Sequence, residues 1–274
     1  MNQPEPVLTV DLFPKLNEQL GELLESLSDA DWERSTVCKG WSVKDVALHM
    51  LGDNISVLSR KRDRHTTVNQ RLDTWDELVS FLNDWNERWV QAARRISVPV
   101  LIDLVRTTGD DLHTYFASLD LYELSGPVNW AGPEPAPVWL DVAREYTEHW
   151  HHQQQLRDAA KRPGAKEPTL FAPVLATFVR ALPQTYRDVS AKEGTRLRLT
   201  IEGESGGTWW LERQVSGWKL YVDVDGEPDA SVRIDQEQAW RLFTKGIDKS
   251  ESGAKIKGDR ALGERMLETV SIIA

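Results

Sequence analysis

At 274 residues the chain is long enough for two ordinary domains, each able to bury a core without covalent staples. A net charge of −10 with no dense cluster of Lys and Arg argues against a duplex-binding surface, and the single cysteine, Cys38, excludes an internal disulfide or a thiolate cage for zinc, so any metal would need His and carboxylate ligands. No run approaches the roughly 18 apolar residues of a membrane span, and the N-terminal segment lacks the basic start and apolar stretch of a signal peptide, so a cytoplasmic protein with no nucleic-acid and no membrane partner is expected.

Leu16, Leu20, Leu23, Leu24 and Leu27 follow the spacing of an amphipathic helix, which predicts the first element. Ser42, with Asp45 in the first turn, marks the start of a second helix running to about Arg62. Leu78, Leu82, Trp85, Trp89, Ala92 and Ile96 predict a third, and Leu101 to Leu119 a fourth, interrupted near Gly109. The proline-rich stretch from Ser125 to Trp139 reads as a long loop, and the next helix begins near Pro137 and carries Arg144 to Ala159. Lys161 to Pro168 has the composition of a linker, which divides the chain into a helical domain, 1–163, and a second domain, 164–274. Beyond a helix from about Leu170 to Val189, four segments of alternating polarity predict an antiparallel sheet, followed by two helices, QEQAWRLFTKG and DRALGERMLETVSII. The fold class is α+β.

Glu148 and His152 lie four residues apart on one predicted helix, about 40° apart around its axis, so both can meet one metal. Gln155, Asp141 and Glu145 share that polar strip, beside an apolar strip of Trp139, Val142, Tyr146 and Trp150. A polar strip that simply faces water has the same pattern. His49, in the second helix, is the other candidate ligand; two imidazoles and one carboxylate form a frequent catalytic zinc set with one position left for water or substrate.

Two segments resemble the mycothiol-dependent maleylpyruvate isomerase family, whose first domain is a DinB-like four-helix bundle. CKGWSVKDVALHMLGD, Cys38 to Asp53, is similar to the family's Cys-Pro-Gly-Trp-Thr-Val motif with its downstream His, matching at Cys38, Gly40, Trp41, Val43, Asp45 and His49, with Lys39 for the usual Pro and Ser42 for the usual Thr. YTEHWHHQQQLRDA is similar to the family's second motif at Thr147, Glu148, Trp150, His152, Gln154, Arg157, Asp158 and Ala159, whereas Gln155 departs from the usual Asp. The closing stretch resembles the family's C-terminal domain, which is sterol-carrier-like.

The resemblance implies that His49, Glu148 and His152 bind a divalent metal, zinc foremost, and that mycothiol or another low-molecular-weight thiol is the co-substrate. It implies an isomerase or S-transferase in which a metal-held thiolate attacks an electrophilic small molecule, with Trp41, Trp150 and Gln155 as candidates for binding the thiol. Addition to a cis double bond, rotation and elimination describe the isomerase version; release of the adduct describes the transferase. His149 and His151 match no ligand position, and Cys38 is not the nucleophile.

The alternative is a non-catalytic metal-containing protein that binds a small molecule, favoured if His151 or Asp53 closes the coordination. A metal-dependent hydrolase ranks below both, since only Glu145 offers a partner base. A monomer or small homo-oligomer is expected.

Overall fold

The computed structural model describes residues 2–65 and 74–272. Its helices in chain order are α1 (Phe13–Ser26), α2 (Asp29–Trp32), α3 (Val43–Val57), α4 (Trp75–Ala93), α5 (Val98–Ala117), α6 (Val138–Ala160), α7 (Pro168–Phe178), α8 (Leu182–Thr185), α9 (Gln236–Phe243) and α10 (Arg260–Met266). The strands are β1 (Arg196–Glu202), β2 (Gly207–Gln214), β3 (Gly217–Tyr221), β4 (Ala230–Asp235) and β5 (Lys255–Gly258). The chain divides into two compact units, one of residues 9–120 and 148–166, the other of residues 1–8, 121–147 and 167–274.

The helical unit is built from α1, α3, α5 and the C-terminal part of α6, with α4 packed on α3. Its core joins Leu20, Leu23 and Leu24 of α1 to Val46, Leu48 and Leu51 of α3, Leu101 and Val105 of α5, and Leu156 of α6. The start of α3 is fixed locally. Ser42 and Asp45 form a reciprocal capping box, in which the Ser42 hydroxyl accepts from the Asp45 amide and the Asp45 carboxylate accepts from the Ser42 amide. Arg94 then grips the same carboxylate at 2.9 and 3.1 Å. Burial alone would raise the Asp45 carboxyl, but Arg94 and Ser42 outweigh it and hold it below its ordinary value.

Two close approaches set helix spacing. Trp89 of α4 lays its indole across α3 at Gly52, where a Cβ would stand 2.5 Å from Nε1, and that N–H donates to the Leu48 carbonyl at 2.7 Å. Asn17 of α1 lies against Gly109 of α5, where a Cβ would stand 2.9 Å from Nδ2. The expected interruption at Gly109 does not occur: α5 is continuous, and the missing side chain serves packing against Asn17 instead. The second helix does reach Arg62, its last turn, Leu58–Arg62, widened to π-helical form.

In the other unit the sheet has the order β3-β2-β1-β4-β5. The expectation of an antiparallel sheet is corrected in one respect: β1 and β4 run parallel, Leu199 opposite Val232, while the remaining pairs are antiparallel, so the sheet is mixed. Period-two alternation, seen in buried Leu197, Leu199 and Ile201, reports which face is buried and carries no information on the direction of the partner. The four segments read from the sequence are β1 to β4; β5 is a fifth, only four residues long. Helices α9 and α10 pack on β4, as expected of the two C-terminal helices. The helix expected from Leu170 to Val189 is instead broken into α7, a 3-10 turn at Val179–Ala181 and α8, where Pro183 sits in the first turn. Helix α10 ends at Met266, short of the expected Ile273, which lies outside the described residues.

Candidate metal centre

The centre lies inside the helical unit, where α3 and α6 bring two imidazoles edge to face. His49 Nε2 and His152 Nε2 are 3.2 Å apart, with ring planes at 89°. Asp53, one turn beyond His49 on α3, places Oδ2 3.2 Å from His49 Nε2. Glu148, one turn before His152 on α6, places Oε2 3.8 Å from His152 Nε2. Two ligand atoms each about 2.0–2.1 Å from a tetrahedral zinc stand about 3.3 Å from one another, so two of these separations already have the length of a coordination edge. Among the described residues, His49, Asp53 and His152 form the cluster of donor atoms compact enough for a metal, all within 4.8 Å of one another.

The electrostatics agree with the donor set. Burial lowers both His49 and His152 to about 4, so at neutral pH both rings are uncharged and offer a lone pair, the state a metal requires. Two neutral imidazoles with carboxylates suit a borderline divalent cation, zinc foremost among them. With one carboxylate the site would carry about +1 and keep an open position; with two it would be neutral and filled by protein.

Each residue singled out in the sequence has a definite place. Trp41 packs on His49 with centroids 5.1 Å apart, and its indole N–H donates to Glu87 of α4 at 2.6 Å. The loop that presents Trp41 and Cys38 turns at Gly40, whose φ of +84° is costly for a residue with a Cβ. Trp150 is wholly buried, its N–H donated to the Ala165 carbonyl at 2.6 Å, so it packs the core and offers no surface to a ligand. Gln155 is turned toward the imidazoles, Oε1 lying 2.8 Å from His152 Nδ1. His149 belongs to a separate polar pair with Asn54, at 2.8 Å, with its ring edge against Phe13. His151 is buried and stacks on His152. Asp53 entered the sequence reading only as an optional fourth ligand; its spacing of four from His49 is the same signal that marks Glu148 and His152.

The model of the mycothiol maleylpyruvate isomerase N-terminal domain matches residues 13–157, more than half of the chain. The chain belongs to this family. Its fold is similar to the crystal structure of the mycothiol-dependent maleylpyruvate isomerase, with a TM-score of 0.54 and 12% identity over 90% of this chain and 91% of that one. A crystal structure of a histidine-to-alanine mutant of the same isomerase gives a TM-score of 0.53 at the same identity and coverage. At that identity the likeness is one of fold. No curated protein matches the chain. Among the described residues no helix is long and apolar enough to cross a membrane.

Proposed function

We propose that this family member is a metal-dependent enzyme that uses a low-molecular-weight thiol, mycothiol or a relative of it, to isomerise or conjugate an electrophilic small molecule in the cytoplasm, as a monomer or small homo-oligomer. The observation that carries the proposal is the pair of neutral imidazole nitrogens 3.2 Å apart with two carboxylates beside them. His49 and His152 hold the metal, Glu148 supplies the carboxylate, and Trp41 walls the side of His49. A divalent cation bound there supplies the positive charge that keeps a thiol as thiolate at neutral pH. Around it, α3 and α6 hold their ligands on rigid helices, and the indole of Trp41 keeps water from one side of His49. The helical domain is taken as 1–163 and the sterol-carrier-like domain as 164–274.

A second reading has one observation in its favour. Asp53 Oδ2 is nearer to His49 than Glu148 is to His152, and if both carboxylates ligate, the coordination is closed and the metal is structural. Metal content of the untagged protein, measured by mass spectrometry beside Asp53→Ala, Glu148→Ala and His152→Ala, separates the two. About one equivalent in the parent, lost in Glu148→Ala and His152→Ala but kept in Asp53→Ala, is the result expected of an open, catalytic site. Loss in all three favours the closed site, and a folded parent that takes up no added zinc removes the metal from both readings.

A further inference from the structure

Gln155 is buried one turn beyond His152 and makes three contacts through one amide. Its oxygen lies 2.8 Å from His152 Nδ1 and 3.4 Å from Cys38 Sγ, and its nitrogen lies 3.1 Å from His151 Nε2. An amide oxygen has two lone pairs and an amide nitrogen only donors, so the two ends are not interchangeable. Burial raises the Cys38 thiol, and a thiol that keeps its proton presents S–H, which needs the oxygen on its side. The His151 ring nitrogen donates in one tautomer and accepts in the other, so it can meet either end of the amide, and here it faces the N–H. Cys38 selects the orientation, and His151 is compatible with it.

We propose that Gln155 is the positioning residue of the metal centre: turned by Cys38, its amide oxygen keeps the proton of His152 on Nδ1 and so presents the Nε2 lone pair to the metal. The proposal rests on the metal-centre reading above and adds what aims it. With the amide reversed, its N–H would face Nδ1, the proton would move to Nε2, and His152 would point a donor at the cation. The role is chemical as well as geometric. A neutral amide polarises the imidazole less than a carboxylate would, leaving Nε2 a weaker ligand and the cation a stronger electrophile. Cys38, too far along the chain to be read as a neighbour of α6, contributes by keying this amide.

Zinc affinity of the untagged full-length protein, measured at neutral pH by competition with a chromophoric chelator, tests this. Gln155→Leu keeps the approximate volume but accepts nothing, and is expected to weaken the affinity by about 10–100-fold. Gln155→Glu keeps an acceptor at Nδ1 and is expected to bind zinc about tenfold more tightly than the parent. In the parent loaded with zinc, nitrogen-15 spectra of labelled histidine should place the His152 proton on Nδ1. A Gln155→Leu affinity within about twofold of the parent, weaker binding by Gln155→Glu, or a proton on Nε2 would overturn the assignment while leaving the metal in place. A parent that binds no zinc instead overturns the metal-centre reading, and this inference with it. Should Gln155→Leu fail to fold, Gln155→Glu and the spectra decide alone, and a loss of packing by itself would not tighten zinc.

Discussion

Strand β1 and the second half of α6 are both interior elements, yet they bury opposite chemistry. β1 alternates, with Leu197, Leu199 and Ile201 inside and intervening residues half-buried. From residue 149 to 157, α6 buries His149, His151, Gln153, Gln154, Gln155 and Arg157 along with Trp150 and Leu156. Hydrocarbon removed from water stabilises by about 25 cal/mol per Å², whereas a buried polar group at best recovers what it loses in hydration. The strand therefore serves stability. The helix sacrifices some of it to assemble donors that a ligand can use.

The sharpest way to test this contrast is to truncate the strand. Leu199→Ala, at a site 1% exposed, is expected to cost about 2–5 kcal/mol in denaturant unfolding, a loss of transfer free energy plus a cavity. A cost below about 1 kcal/mol would mean that the sheet is no better packed than the helix.

Acid is the second probe. Burial lowers both His49 and His152 to about 4, below the 6.5 of an open histidine, so the unfolded chain takes up these protons first. The contribution to stability of the metal-free protein is present in full above about 6.5 and is lost as the pH falls through about 4, on the order of a few kcal/mol. Unfolding midpoints across that range should fall for the parent and stay flatter in a His49→Leu, His152→Leu double variant. Equal slopes would show that the imidazoles are not desolvated.

Gln153 offers a test in the opposite direction. It is fully buried, and neither of its side-chain polar atoms has a hydrogen-bond partner among the described residues. Gln153→Leu is expected to stabilise by about 1–3 kcal/mol with zinc affinity unchanged, because it removes unsatisfied donors and acceptors outside the metal centre. A destabilised variant would reveal an ordered partner for the amide. The smallest effect is expected at the start of α3, where Ser42→Ala should cost about 1 kcal/mol.

The same contrast explains what could be read from the sequence. The amphipathic leucines of α1, the capping residues of α3 and the alternation of β1 announce themselves because the rule that buries them is the rule that patterns them. The four-residue spacing of Glu148 and His152 on α6 was legible from helical periodicity, whereas His49 was singled out by the resemblance of its surrounding motif to the family. What the α6 pattern left open was its direction: a polar strip facing water and one facing a buried centre look alike until α3 is placed against it. The parallel pairing of β1 with β4 was hidden for a related reason, since partner direction is a property of the assembled sheet. Gly109 was mistaken for a break because a glycine that admits Asn17 has the same letter as one that ends a helix. The link from Cys38 to Gln155 crosses 117 residues and leaves no local trace.

A cylinder packed in a bundle is held along its length more firmly than it is held against rolling. On α3 the residues of the candidate metal centre, His49 and Asp53, each follow by one position a residue that Trp89 touches, Leu48 and Gly52. That indole works as an indexing pin. By resting where no side chain stands, it sets the roll of the helix, and a single angle then aims an imidazole and a carboxylate together. The absent atom at position 52 is in this sense part of the optics of the site: a methyl group added there would stand 2.5 Å from the indole nitrogen, so either the indole or the roll that both donors share would have to give.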